Sequence, residues 1–406
     1  MRRYYFGYNS TEYGSRQRPA GKGSPASGKR GVALLLALVF IVLLSVLVIE
    51  FSYEARVDAT LTMNHTMELE ALVAARSAVA NGLALLAEAQ LPDEEYPGAY
   101  FDSVLDMTPW YGPQPFEPIN DALMRTTIMD EYGKINLNAL MDNTQYPPVE
   151  RELLVQALRD FFYFRNPDIE DPVDAILDWL DYGAEEHVRP EGAETEFYQQ
   201  AKIPYMAKNG PMDSIEELLL IRGITPEIYF GNPEEDQLPL PEHLTVHGDW
   251  AGRVNVNTAE PETLAAVIGV ITGNPMDLDM AEEIYTITRT EAPFTDVGQL
   301  NALLGLGEQP RQIDGRQQQP LQGQQQQQQQ QEELEGPVFS AEQFLTVGSN
   351  VFRIYGDGMA DDIMVRVEAY VWRTPWDLMD LERSAGGMDL LIPEEAFRIL
   401  DWSVIR

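Results

Sequence analysis

The chain of 406 residues carries a formal net charge of −37 and contains no cysteine. The lack of cysteine excludes a disulfide framework, a thiolate metal site and a thiol nucleophile. The excess of acidic residues disfavours nucleic acid as a ligand and favours cations or basic protein surfaces.

The basic residues are concentrated at the amino terminus. Residues 1–31 contain seven Lys or Arg and one acid, which leaves 21 basic and 64 acidic residues and a net charge of −43 in the rest of the chain. This segment is rich in Gly, Ser, Arg and Tyr and has no periodic apolar face, so we interpret it as a basic leader without a packed core.

An apolar stretch follows the leader, and from Val32 to Ile49 its only polar side chain is that of Ser45. At about 1.5 Å per residue, a helix of this length nearly spans a hydrocarbon core of roughly 30 Å. The stretch lacks the small-residue cleavage site of a secretory signal peptide. We therefore predict a transmembrane helix over residues 32–53. The positive-inside rule keeps the leader in the cytoplasm and sends the acidic body across the membrane.

Beyond the membrane, leucines and valines recur every three or four residues and predict that the helix continues to about Gln90, with a possible disturbance at Asn81-Gly82. Alternation of apolar residues begins near Leu123, which predicts a strand and a hairpin turn near Asp130–Gly133. Residues 54–140 are thus assigned to the helix continuation and the first strands.

A nine-residue pattern occurs twice, at Asp130–Asn138 and at Asp249–Asn257, and reads D-x-x-G-[K/R]-[I/V]-N-[L/V]-N. We interpret the two copies as equivalent turns, each opening a strand and ending in an asparagine that caps the next helix. Apolar periodicity between and after the copies predicts a helical domain over residues 141–305, built from two similar halves. Its predicted helices are 149–164, 172–180, 214–224, 259–268 and 280–289.

Glutamine dominates residues 306–336, which cannot build an apolar core and are predicted to form a disordered loop. Strand patterns resume in residues 337–406, at 338–347, 350–355 and 363–373, with an intervening turn at Gly356–Asp361 and a last apolar segment at Ala396–Ile405. These strands are predicted to form most of an antiparallel sheet.

The candidate site is a group of carboxylates in a Gly- and Pro-containing segment. Asp178 and Asp181 share one helix face near its end, and the following loop is able to bring Glu194 back towards them. Calcium prefers six to eight oxygen ligands, which an acidic loop supplies, although a merely solvated acidic loop has the same composition. No glycine-rich phosphate loop, nucleophile elbow or distinct catalytic carboxylate pair is present, so we predict that the chain is not an enzyme.

Two groups of residues resemble a known family. Lys29-Arg30-Gly31 before Val32-Ala-Leu-Leu is similar to the leader of type IV pilin-like proteins. The body resembles minor pseudopilin K of the type II secretion system (general secretion pathway protein K). The similar stretches, in collinear order, are Lys134–Asn138, Asp174–Asp181, Gly192–Glu194, Tyr198, Asn209–Leu218, Ile221–Tyr229 and Val254–Ala259.

The resemblance implies an α+β fold in which a long N-terminal transmembrane helix precedes a pilin-like antiparallel sheet domain with a large helical insertion, similar to SAM or helix-hairpin-helix modules. It also implies cleavage between Gly31 and Val32 by the prepilin peptidase, N-methylation, and a single-pass inner-membrane protein with its body in the periplasm. The fifth residue after the cleavage is Leu36, where most relatives carry Glu, and this absence marks the subunit placed at the tip of the filament.

The partners implied are minor pseudopilins I and J, and the implied cofactor is calcium, which related pseudopilins bind in the helical domain. Two alternatives stay open at this stage. One is a minor subunit of another type IV filament system. The other is a membrane-anchored helix-hairpin-helix protein that binds DNA through the region Val254–Val270. The acidic residues of that region argue against DNA, and we predict no nucleic-acid partner.

Overall fold

The computed structural model describes residues 28–88, 102, 112–141, 148–167, 170–182, 188–235, 237–306, 340–374 and 396–405. The chain divides into two compact units, Met1–His65 and Thr66–Arg406. Nearly all of the predicted leader and glutamine-rich loop lies outside the described residues.

The first helix, α1, runs without interruption from Gly28 to Glu88. In the described part of the chain, it is the one helix that is long and apolar enough to cross a membrane. The disturbance predicted at Asn81-Gly82 is wrong. Gly82 is a packing position, because a Cβ there would lie 2.8 Å from the side chain of Ile354.

Seven further helices and ten strands follow in the described residues. The helices are α2 (Pro148–Arg165), α3 (Val173–Leu180), α4 (Thr195–Tyr198), α5 (Pro226–Phe230), α6 (Pro261–Thr272), α7 (Leu278–Thr290) and α8 (Gly298–Leu303). The strands are β1 (Gly112–Pro113), β2 (Glu117–Ile119), β3 (Ala122–Asp130), β4 (Ile135–Asn136), β5 (Leu244–Thr245), β6 (Val254–Asn255), β7 (Leu345–Thr346), β8 (Val351–Ala360), β9 (Ile363–Arg373) and β10 (Phe397–Ile405).

The main sheet is antiparallel, with the order β1-β3-β8-β9-β10 and β2 paired to β3. Small residues of α1 pack on it, and Gly356 and Gly358 of β8 give the helix room. A Cβ at either glycine would collide with backbone of α1, at Ala75 or at Ala71 respectively. The turn predicted at Gly356–Asp361 is therefore wrong, because its glycines lie inside β8 and the chain turns only after Ala360.

The hairpin predicted after β3 is also wrong. After Asp130 the chain does not turn back onto β3, whose partners are β1, β2 and, more than two hundred residues later in the chain, β8. The residues after the predicted turn form β4, which pairs in parallel with β5. The strand predicted at 338–347 is reduced, in its described part, to a short 3-10 helix at Ala341–Gln343 and the two residues of β7.

The two copies of the nine-residue pattern form equivalent strands. The strand of each copy pairs in parallel with a short strand from later in the chain. In the first copy β4 pairs with β5, and in the second copy β6 pairs with β7. Ile135 N–H donates to His243 O, and Val254 N–H donates to Phe344 O, both at 2.9 Å. The two copies are therefore equivalent in the strand that each opens, whereas their turns differ, because Gly252 has a positive φ of 73° and Gly133 does not.

The asparagine that caps is not the one predicted. Asn136 accepts a hydrogen bond from Asn138 N–H at 3.0 Å and begins a 3-10 helix, and Asn255 likewise accepts from Asn257 N–H at 3.0 Å. The last asparagine of each copy instead fixes a distant segment. Asn138 exchanges hydrogen bonds with the backbone of Met212.

Asn257 makes the same exchange with Phe294, where Phe294 N–H donates to the Asn257 side chain and the side chain donates back to Phe294 O. The helices between and after these anchors share one apolar core. It includes Phe161 and Leu158 of α2, Ile176 of α3 and Leu264 of α6, all of which are buried. The observed architecture confirms the predicted α+β fold class.

A cluster of buried charges lies where β3 leads into the first copy of the pattern. The Glu131 carboxylate forms two ion pairs, with Oε1 lying 2.8 Å from Lys134 Nζ and 3.0 Å from Arg353 Nε. Its other oxygen accepts a hydrogen bond from the hydroxyl of Thr245. Although burial raises the pKa of Glu131, the two cations outweigh it and lower that pKa to about 2.

Candidate metal centre

The short helix α3 places two carboxylates next to a buried core. Its apolar residues, including Ile176 and Leu180, are fully buried. Asp178 is also fully buried, and Asp181 caps the end of the helix by donating its backbone N–H to Leu177 O at 3.1 Å. Because the residues lie three apart at a helix end, their side chains emerge on the same side.

The segment 188–194 then returns the chain to these carboxylates. Gly192 permits the close approach, since a Cβ at this position would collide with the carboxylate of Asp178. Three hydrogen bonds to its backbone hold the segment in place. Arg189 N–H donates to Asp178 Oδ2 at 3.3 Å, Glu191 N–H donates to Asp174 Oδ2 at 3.1 Å, and Arg222 Nη1 donates to Gly192 O at 3.0 Å.

The structure brings Asp178, Asp181 and Glu194 together. Each of the three offers a carboxylate oxygen, and these oxygens all lie within 4.8 Å of one another. Glu194 is only 4 % exposed. Calcium–oxygen distances of about 2.3–2.6 Å place ligands on opposite sides of an ion about 5 Å apart, so this spacing fits a calcium ion.

Two further observations agree with a hard cation. Asp181 Oδ1 is buried and has no hydrogen-bond partner among the described residues. Burial raises the pKa of Asp178, although Arg189 opposes the rise. A neighbouring divalent cation would stabilise the charged form of both groups.

Arg189 is the basic residue of this site. Its Nη1 donates to Asp178 Oδ1 at 2.5 Å and to Asp181 Oδ2 at 2.7 Å. Sequence reasoning missed Arg189, and it named Gly192 only within the stretch Gly192–Glu194 that resembles the family, without a role in the site. The sequence signals were one basic residue and one glycine among acidic residues. Neither signal indicates which carboxylates these two residues contact in the folded chain.

The other residues singled out from the sequence lie elsewhere. Gly31 and Val32 are part of α1, near its beginning.

The region Val254–Val270, which resembles a helix-hairpin-helix, contains β6 and most of α6, and α7 follows it and packs on α6. The residues exposed on α7 include Asp279, Glu282 and Glu283. Such a surface repels phosphate groups, because affinity for a nucleic-acid backbone depends on neutralisation by Lys and Arg.

Three comparisons with known proteins bear on the family. Residues 133–230, which contain the three carboxylates, match the family described as type II secretion system (T2SS), protein K. The chain is 28% identical to type II secretion system protein K of Aeromonas hydrophila over 180 residues, or 42% of this chain and 50% of that protein. It is 26% identical to the protein K of Klebsiella pneumoniae over 168 residues, or 40% and 47% of the two chains.

A solved structure has a similar fold. The crystal structure of the GspK-GspI-GspJ complex from the type 2 secretion system of enterotoxigenic Escherichia coli contains a chain that matches with a TM-score of 0.56 and 17% identity. The match covers 85% of this chain and 99% of that chain. The chain spans about half the length of the curated relatives that it matches. The chain is therefore similar to type II secretion system protein K over residues 133–230 and in two curated relatives, and it shares the fold of the solved chain.

Proposed function

We propose that this chain is a minor pseudopilin at the tip of the type II secretion pseudopilus, where it helps to nucleate and cap the filament during protein export across the outer membrane. The observation that carries the proposal is the protein K match over residues 133–230. A helix of pilin type, an antiparallel sheet and an inserted helical region agree with it.

The anchor is the apolar part of α1, and the proposal places it in the inner membrane as a single span. The basic leader supports a cytoplasmic amino terminus and a periplasmic body. The prepilin peptidase would cut between Gly31 and Val32. Leu36 supports a position at the end of the filament. Its side chain has no carboxylate, so it supplies no buried charge that could pair with the amino terminus of a neighbouring subunit.

Minor pseudopilins I and J are the proposed partners, since the similar GspK chain was solved with GspI and GspJ. When the full-length chain is purified, we therefore expect the I and J proteins of its own organism to copurify with it. Recovery of the chain without them would argue against this function.

We also propose that Asp178, Asp181 and Glu194 bind calcium. Their oxygens supply the hard ligands, Gly192 makes the space, and the unpartnered Asp181 Oδ1 supplies a free acceptor. In this position the ion would tie the end of α3 to the segment that returns to it. Its role is structural, because it stabilises the folded chain over the unfolded one.

Calcium should raise the melting temperature of the full-length protein in detergent after removal of bound ions with a chelator. At a calcium concentration about 100-fold above the dissociation constant, linkage predicts about 2–3 kcal/mol of added stability. Asp181→Ala should abolish the rise. Asp279→Ala, which removes an exposed acid from α7, should leave it unchanged.

Scanning calorimetry with calcium and with magnesium measures these shifts. The same melting temperature with and without calcium in the unaltered protein would remove the calcium proposal. A full rise in Asp181→Ala would remove Asp181 from the ligand set.

A further inference from the structure

Arg189 stands between two of the three carboxylates as a single positive charge. One nitrogen, Nη1, contacts Asp178 Oδ1 at 2.5 Å and Asp181 Oδ2 at 2.7 Å. This is not the two-pronged pairing of a guanidinium with one carboxylate. Both contacts converge on a nitrogen that bridges two proposed calcium ligands, as a metal ion would.

The guanidinium is able to leave without moving the segment that carries it. The side chain of Arg189 is 31% exposed, whereas that of Asp178 is fully buried. The segment is held by other contacts, from Glu191 N–H to Asp174 and from Arg222 to Gly192 O. Rotation of one side chain towards solvent therefore opens the carboxylates.

A guanidinium and a divalent cation compete for these oxygens. Two positive groups at this separation repel each other strongly where water is excluded, and each needs the same lone pairs. Without any cation, the buried Asp178 would face Asp181 without a counter-charge, which is costly. A resident cation therefore stabilises the empty site but must be displaced when the metal ion binds.

We propose that Arg189 is the internal counter-cation of the calcium site, and that calcium binds by displacing its guanidinium from Asp178 and Asp181. Arg189 thereby positions the two carboxylates in the calcium-free protein and weakens the affinity of the site for calcium. This inference rests on the proposed calcium site. It adds to that proposal a built-in competitor that sets the calcium concentration at which the site fills.

Removal of the competitor should tighten calcium binding. In Arg189→Gln, calorimetric titration of the full-length protein with calcium should give a dissociation constant lower by about tenfold or more, because one unfavourable exchange is lost. The melting temperature without calcium should fall in the same variant. A merely structural Arg189 would lower the melting temperature and leave the calcium affinity unchanged or weaker.

Arg366 provides the matched control. Its side chain is 38% exposed and pairs with Asp357, a fully buried acid of β8 that is not among the three carboxylates. Arg366→Gln should therefore lower the melting temperature while leaving the dissociation constant for calcium within about twofold. Equal constants in the unaltered protein and in Arg189→Gln would overturn the role of Arg189 and leave the calcium site intact. Absence of calcium binding in every protein would overturn the site itself.

A second measurement uses only the unaltered protein and stays decisive if Arg189→Gln fails to fold. Phenylglyoxal modifies accessible guanidinium groups, and mass spectrometry locates the modified arginines. Modification of Arg189 should increase several-fold when calcium is added, whereas modification of Arg366 should not change. Identical labelling of Arg189 with and without saturating calcium would contradict the displacement.

Discussion

Gly358→Ala is expected to destabilise the protein by about 3 kcal/mol or more, although it adds one methyl group. Gly358 lies in β8, where a Cβ would collide with the carbonyl oxygen of Ala71 and would lie 2.5 Å from the amide nitrogen of Ala75. Both neighbours are backbone atoms of α1, so no change of side-chain rotamer relieves the collision. The helix has to move away from the sheet.

The consequence extends beyond the glycine, because α1 and the sheet share their core. Separation of the two would expose Ala75 and Val79 of α1 and Ile354 of β8, all of which are now at most 2 % exposed. Lost burial of apolar area then adds to the steric cost at roughly 25 cal/mol per Å². Thermal or urea unfolding of the full-length protein in detergent measures the change.

Gly210→Ala is the matched control for this substitution. A Cβ at Gly210 would meet its nearest neighbours, Tyr182 and Lys208, at 3.6 and 3.9 Å, which is ordinary contact. This variant should lie within about 0.5 kcal/mol of the unaltered protein. If Gly358→Ala unfolded at the same point as Gly210→Ala, the close contact of α1 with β8 would be wrong.

The second large effect is expected from Glu131→Gln, which should cost about 3–5 kcal/mol. Glu131 is 1 % exposed and neutralises two cations, Lys134 and Arg353, that are themselves almost completely buried. The amide keeps the shape of the side chain but not its charge. Both cations would then remain in a medium of low dielectric without their main partner.

The pH dependence of stability gives an independent readout of Glu131. Its pKa of about 2 in the folded chain lies below the ordinary value of 4.5, so its stabilisation is present above pH 4.5 and is lost as the pH falls through 2. Glu131→Gln should remove that loss. Burial raises the pKa of the adjacent Asp130 to about 6, so Asp130 acts in the opposite direction and lowers stability as the pH rises from 4 to 6.

Asp213→Asn controls for the removal of a charge as such. Asp213 pairs with Lys208 at 2.6 Å, but its side chain is 89% exposed, and such a pair contributes little. A change within about 1 kcal/mol is expected. Equal stability of Glu131→Gln and Asp213→Asn would show that Lys134 and Arg353 do not depend on Glu131.

The elements predicted best from the sequence are those with strong local patterns. The apolar run beginning at Val32 specifies α1, and apolar periodicity specifies α2 to within a residue or two at each end. Alternation specifies β9 over 363–373. In the repeated nine-residue pattern, Asn136 and Asn255 meet a local backbone requirement, because each accepts a hydrogen bond from the backbone N–H two residues later.

The errors arise where distant parts of the chain decide the structure. Gly356 and Gly358 read as turn residues, yet they serve the approach of a helix more than 280 residues away in the chain. Asp130–Gly133 has the composition of a hairpin turn, but pairing of β3 with β8 excludes the hairpin. No local signal distinguishes these cases, since the same residue types suit both.

The candidate site shows the same division. Helical spacing alone places Asp178 and Asp181 on one side of α3, and acidity marks the following segment. The contribution of Arg189 depends on the path of the chain between them, which spacing does not define. The need for glycine at position 192 is evident only in the folded chain, where a Cβ would collide with the carboxylate of Asp178.

The most direct measurement is isolation of the tagged full-length chain from cells that also produce its I and J proteins and the prepilin peptidase. After extraction in a mild detergent, native mass spectrometry should find one assembly of the three proteins, with the chain beginning at methylated Val32. A matched preparation from cells without the peptidase should retain Met1. A chain that is recovered alone, or that begins at Met1 or after Glu50 in the presence of the peptidase, would contradict a pseudopilin of the secretion filament.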